Sequence, residues 1–177
     1  DNFGVIISGT YISRRLTNEV DVFHTEKSQL YEASLEVSAW QQIDDTGSRM
    51  NGKNYYTHIV CNDLCTVFFT TPKKDRLTIL DILQNFESRS FVFNDETFDL
   101  LKDLRVSQKL IENVKELTER EKELNEKDME EILAGLFPDS SKGKISRIRI
   151  TEAAAIASYH SKIGVPTVKV LVSDDAP

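Results

Sequence analysis

Residues 40–52 read WQQIDDTGSRMNG, and their reading decides the fold. Trp40 to Ile43 suits a β-strand, Asp44-Asp45 closes it, and Thr46 to Gly52 carries the Gly and Asn-Gly signals of a turn. Residues 168–177, VKVLVSDDAP, repeat the plan: a β-branched run reaches Asp174-Asp175 and stops. Two strands that each finish on carboxylates can lie side by side with their acids at one edge of a sheet. Unpaired carboxylates held that close repel, and a divalent cation removes the cost. Mg2+ takes oxygen ligands and is commonly held by one or two carboxylates together with phosphate oxygens. An Asp-Asp pair at a strand end is also an ordinary turn or cap feature, so the pairs alone do not decide the chemistry.

The surrounding chain supplies the order of elements. YYTHIVCN (55–62) and CTVFFTT (65–71) are rich in Tyr, Val, Ile, Phe and Thr and read as two strands of a hairpin. KKDRLTILDILQNF (73–86) reads as a helix with Leu77, Leu80 and Leu83 on its apolar side. Upstream, Ser8 is placed as the cap of a helix carrying Tyr11, Ile12, Arg15 and Leu16. A second helix follows with Val20, Phe23, Lys27, Leu30, Tyr31 and Ser34 along one face. Downstream, Asn94 and Asn125 cap two helices of an acidic stretch, with a helix bearing Leu110, Val114 and Leu117 between them. In residues 144–164 the residues Ile145, Ile148, Ala155, Ile156, Tyr159 and Ile163 recur near a 3.6 period, with Gly164 and Pro166 as the stop. The run TVKVLVSDD (167–175) has little alternation, as a buried strand in mid-sheet would. The expected division is an N-terminal helical segment at 1–36, a first core portion at 37–85, an acidic all-helical insertion at 86–142 and a return to the core at 143–177.

Composition limits the classes of partner. The 177 residues carry 29 acids and 22 bases, a formal charge of −7. Residues 84–141 hold 15 acids and 8 bases, which accounts for the whole of that charge, so the remainder is neutral. Charges act locally, within a Debye length of about 8 Å at physiological salt, and the acidity of one segment does not exclude DNA from the rest. The insertion's charges read as a solvated face. No apolar run approaches the roughly 20 residues that span a bilayer, and Asp1 to Ile7 does not resemble a signal peptide. With only Cys61 and Cys65, read as buried thiols of a hairpin, a soluble cytoplasmic protein is expected.

Three strands with an acid on the first, then a helix, then a strand ending in a second acid match the first part of a ribonuclease-H-like core. QQIDDTGSRMNGKNYYTHIVCND (41–63), followed by KKDRLTILDIL (73–83), resembles bacterial insertion-sequence transposases with a DDE-type catalytic domain. Asp44, Thr46, Gly47, Arg49, Asn51, Gly52 and His58 fall on that family's pattern, and LVSDDAP (171–177) resembles its second acidic strand. The resemblance implies a mixed α/β sheet of three strands, a helix and a further strand. It implies metal-dependent phosphodiester hydrolysis and strand transfer on DNA, with Mg2+ or Mn2+ held by Asp44 and Asp174. Asp45 stands where the family has glutamate; it, Asp175 and His58 would have supporting roles. The family's third acid, a Glu on a later helix, has no counterpart up to Pro177, and Glu152 stands before the last strand, in the wrong order. The chain therefore reads as part of a longer protein and as inactive alone. Partners would be transposon ends and target DNA, with a homo-oligomer assembled on them. Residues 3–16 also resemble the end of a helix-turn-helix segment.

Other residues have bland readings beside functional ones. Arg14 and Arg15, or the cluster of Lys142, Lys144, Arg147 and Arg149, could contact phosphates or simply face solvent. His58 is read first as a packed or hydrogen-bonded residue, Trp40 as core, and His24 and His160 as lacking ligand-spaced partners. Two other functions compete. VKVLVSDDAP also resembles the first strand of a response-regulator receiver domain, which would make the upstream residues a sensor or linker region. A non-catalytic DNA-binding remnant of a transposase is the third reading.

Overall fold

The computed structural model describes residues 7–18, 20–139, 141–162 and 167–174. Asp175, Ile163, Gly164 and Pro166 therefore lie outside the described residues. Two helices come first, α1 (Gly9–Asn18) and α2 (Val20–Val37). The Ser8 cap is present: the Tyr11 N–H donates to Ser8 Oγ at 3.2 Å. α1 buries none of its residues, so Tyr11, Ile12 and Leu16 form an exposed stripe. α2 buries Tyr31, Ser34 and Leu35, whereas Phe23 and Leu30, expected on the same face, are 47% and 60% exposed. The helix meets the sheet from its middle onward: Lys27 lies 4.5 Å from the Phe69 ring centre, and Tyr31 and Leu35 pack on the sheet's covered face, while the Ser28 carbonyl accepts from Asn85.

Three antiparallel strands follow, β1 (Trp40–Met50), β2 (Lys53–Cys61) and β3 (Thr66–Thr71). A fourth, β4 (Val170–Ser173), runs parallel to β1, giving a four-stranded mixed sheet in the order β3-β2-β1-β4. The strand-end reading of Asp44-Asp45 needs correction, because β1 continues through them to Met50. Asn51 and Gly52 both have positive φ, 51° and 76°, the two-residue turn whose twist matches that of its strands. Thr46 to Met50 can therefore stay paired with Lys53 to Thr57. What stops near Asp44 is the pairing with β4, whose last registered pair is Ile43 with Ser173.

One face of this sheet is covered. Ile43, Val60, Val67 and Phe69 pack with Tyr31 and Leu35 of α2 and with Ile82 of α3 (Arg76–Leu83). No described element covers the other face: Trp40, Phe68, Val170 and Val172 are 36%, 56%, 53% and 46% exposed. Trp40 is thus not core, since its strand position directs it away from buried Gln41 and Ile43. β4 is likewise not a buried mid-sheet strand. All four of its residues are exposed, and among the described residues it forms the sheet edge.

The acidic stretch folds as α4 (Asp95–Asp103), α5 (Gln108–Leu117) and α6 (Glu126–Leu136). Asn94 and Asn125 each form a reciprocal capping box, with Thr97 and Asp128. These helices share one core with α3 and with α7 (Lys144–Ser161), built on Phe93, Leu101, Ile111, Val114, Met129 and Ile150. In α7 the buried stretch runs from Ile150 to Tyr159, including three successive alanines, whereas Ile145 and Ile148 are 65% and 45% exposed. Small side chains let neighbouring elements approach this helix on several sides, so it has no single apolar stripe. None of the helices among the described residues is long and apolar enough to cross a membrane.

Candidate active-site cleft

A cleft of about 630 Å³ opens where β1 and β4 meet the start of α3 and the C-terminal half of α7. Asp44, Asp45, His58, Lys74, Arg76, Tyr159 and Asp174 are among its lining residues. Sequence positions far apart are therefore brought to one place. Asp44 and Asp174 each stand one residue beyond the registered Ile43–Ser173 pair of two adjacent parallel strands. Adjacent strands lie about 4.8 Å apart, which makes these two acids neighbours at the rim. The segment entering β4 is tied to α7, since the Val168 N–H donates to the Tyr159 phenol oxygen at 2.8 Å. Burial pushes the Tyr159 phenol up from its ordinary pKa, and the Val168 N–H partly opposes that rise.

The adjacent acids of β1 have different surroundings. Strand alternation sends Asp45 to the helix-covered side with Ile43, directly opposite His58 in the ladder. Its carboxylate is held by Lys74 Nζ, 3.3 Å from Oδ1 and 3.2 Å from Oδ2. Lys74 also lies 5.5 Å from the Tyr56 ring centre. Asp44 Oδ1 accepts the Asp45 N–H at 2.7 Å. Among the described residues, neither Asp44 nor Asp174 has a cationic partner.

His58 is fully buried, and a chain of hydrogen bonds fixes its tautomer. The Thr71 hydroxyl donates to the Lys73 carbonyl at 2.5 Å, leaving its oxygen free to accept from His58 Nε2 at 2.8 Å. Nε2 therefore carries the proton, and in a neutral ring Nδ1 is an acceptor. That Nδ1 has no partner among the described residues. In the same cleft, Arg76 Nη1 donates to Glu152 Oε2 at 3.1 Å, and the Glu152 side chain is only 6% exposed. Glu152 is thus the buried anchor of a cleft arginine. His160 pairs with Glu96 at 2.5 Å.

The sequence did not single out Lys74 or Arg76. They sit beside the Asp75 cap of α3, and their partners, Asp45 and Glu152, lie on distant elements. The basic residues it did single out are placed elsewhere. Lys142 pairs with Asp139 at 3.3 Å, Arg147 donates to the Leu133 and Phe137 carbonyls and stacks on Phe137, and Arg149 reaches the Arg105 carbonyl. Arg14 and Arg15 lie exposed on α1, away from the cleft lining. Cys61 and Cys65 are free and half-buried, not fully buried as expected, and Cys65 Sγ donates to Ser34 Oγ at 2.9 Å.

The donors at the rim are of the oxygen type that a hard divalent cation takes: two aspartates at neighbouring backbone positions, exposed and, among the described residues, without a cationic partner. Among the described residues no three His, Cys, Asp or Glu side chains gather as a fuller metal group. No family model matches the chain, and no solved structure matches it. Over 146 residues it is 30% identical to the uncharacterized protein y4jO of Sinorhizobium fredii, a match covering 81% of this chain and 44% of that protein. The chain thus spans less than half the length of the curated relative it matches.

Proposed function

We propose that this chain carries the first two metal-holding carboxylates of a ribonuclease-H-like, DDE-type transposase core, and that Asp44 and Asp174 are those ligands. The observation that carries the reading is the position of the two acids. Each stands one residue beyond the registered Ile43–Ser173 pair of parallel β1 and β4, both line one cleft, and among the described residues neither has a cationic partner. The strand order β3-β2-β1-β4, a three-stranded meander with a parallel fourth strand beside the first, supports the same architecture. A bound Mg2+ or Mn2+ would activate water and polarise a phosphodiester of DNA. The chain's own contribution is to hold two oxygen donors at fixed strand positions and to back them with the His58–Thr71–Lys73 hydrogen-bond chain. Pairing of β4 with β1 favours this reading over a receiver domain, in which β4 would begin a separate sheet.

Mn2+ titration of this chain tests the proposal. Asp44→Asn and Asp174→Asn should each weaken binding about tenfold or more, while Asp21→Asn on α2 leaves it unchanged. Affinity untouched by either rim substitution would remove the assignment. With the parent protein and supercoiled DNA, the same two substitutions should abolish metal-dependent strand cleavage.

A further inference from the structure

The cleft that Asp44 and Asp174 line also carries a feature that the metal reading leaves unused. Lys74 and Arg76 flank the start of α3, both exposed, with side chains 53% and 65% accessible. Arg76 spends Nη1 on the buried Glu152 carboxylate and keeps its other donors for a further acceptor. Glu152 thereby fixes the guanidinium in position before any ligand arrives. Lys74 is neutralised by Asp45, but an exposed ion pair of this kind is weakly held and open to competition.

We propose that this part of the cleft is a phosphodiester subsite, in which Lys74 and Arg76 take up anionic oxygens of a DNA strand laid across the rim, and Asp45 is the internal anion that the phosphate displaces from Lys74. The inference rests on the reading of the cleft as a DNA-handling site and names the residues that grip the backbone. Such contacts fix register and carry no base information, so affinity should not depend on sequence.

The test is binding of a labelled DNA duplex to the full chain in EDTA across a salt series. Lys74→Gln should weaken binding and lower the slope of log affinity against log salt by about one. Arg76→Gln strips Glu152 of its partner, so it is paired with Glu152→Gln, and the double variant should lower the slope by about one as well. A loss of stability alone would not change that slope. Asp45→Asn should strengthen binding severalfold by freeing Lys74. The proposal is overturned if the duplex does not bind, if the slope is unchanged in both charge-removing variants, or if Asp45→Asn weakens binding. Binding that behaves as expected without any Mn2+-dependent cleavage by the parent protein would uphold the subsite and remove the metal assignment. Cleavage that needs Asp44 and Asp174 but not Lys74 or Arg76 would do the reverse.

Discussion

The helical region and the sheet use similar apolar side chains in opposite ways. From α3 through α7, Phe93, Leu101, Val114, Ala153 and Ala154 are fully buried in one core. In the sheet, Ile43, Val60, Val67 and Phe69 are buried on one side, while Trp40, Phe68, Val170 and Val172 stand exposed on the other. The difference shows where rigidity comes from. The cleft lies at the seam, with its acids on the half-covered sheet and its cations anchored to the densely packed helices through Glu152 and α3.

The largest expected contrast is in stability. Leu101→Ala should cost about 2–5 kcal/mol by urea denaturation, as for other fully buried leucines, whereas Phe68→Ala on the bare face should cost under about 0.5 kcal/mol. Equal losses would mean that the bare face is covered in solution. Next, Arg76→Ala should cost about 1–3 kcal/mol by leaving the Glu152 carboxylate buried without a partner, and Glu152→Gln in the same background should recover most of it. Gly52→Ala should cost about 1 kcal/mol because φ at this turn is positive. No such cost would mean that the β1–β2 turn can be rebuilt.

The smallest effect concerns pH. The Tyr159 phenol is raised by burial, so its neutral form is favoured in the folded protein. That contribution is fully present below the ordinary tyrosine pKa of about 10 and is lost as pH rises through the higher folded value. Denaturation at pH 9 and pH 11 should therefore show a fall in stability that is smaller in Tyr159→Phe.

Local signals were legible where local physics sets the outcome. Ser8, Asn94 and Asn125 act as caps because their side chains meet N–H groups two or three residues away. The order of strands and helices could be read from apolar runs and turn residues. The length of β1 could not. Thr46 to Arg49 look like loop residues because that end of the strand is largely exposed on both faces, so burial imposes no alternation. The apolar run of β4 suggested a covered strand, but a run of valines does not encode what lies over it. Lys74 with Asp45 and Arg76 with Glu152 were invisible for a simpler reason: each pair exists only through tertiary contact.

The parallel partnership of Trp40 with Val170 has a consequence for biogenesis. A nascent chain can close the local β1–β3 meander early, but β4 must wait until the intervening helices have been synthesised and collapsed. The two rim aspartates stay apart until that late step. An incomplete polypeptide leaving the ribosome would therefore lack the paired aspartates of the cleft rim, and the site would form only once β4 docks beside β1.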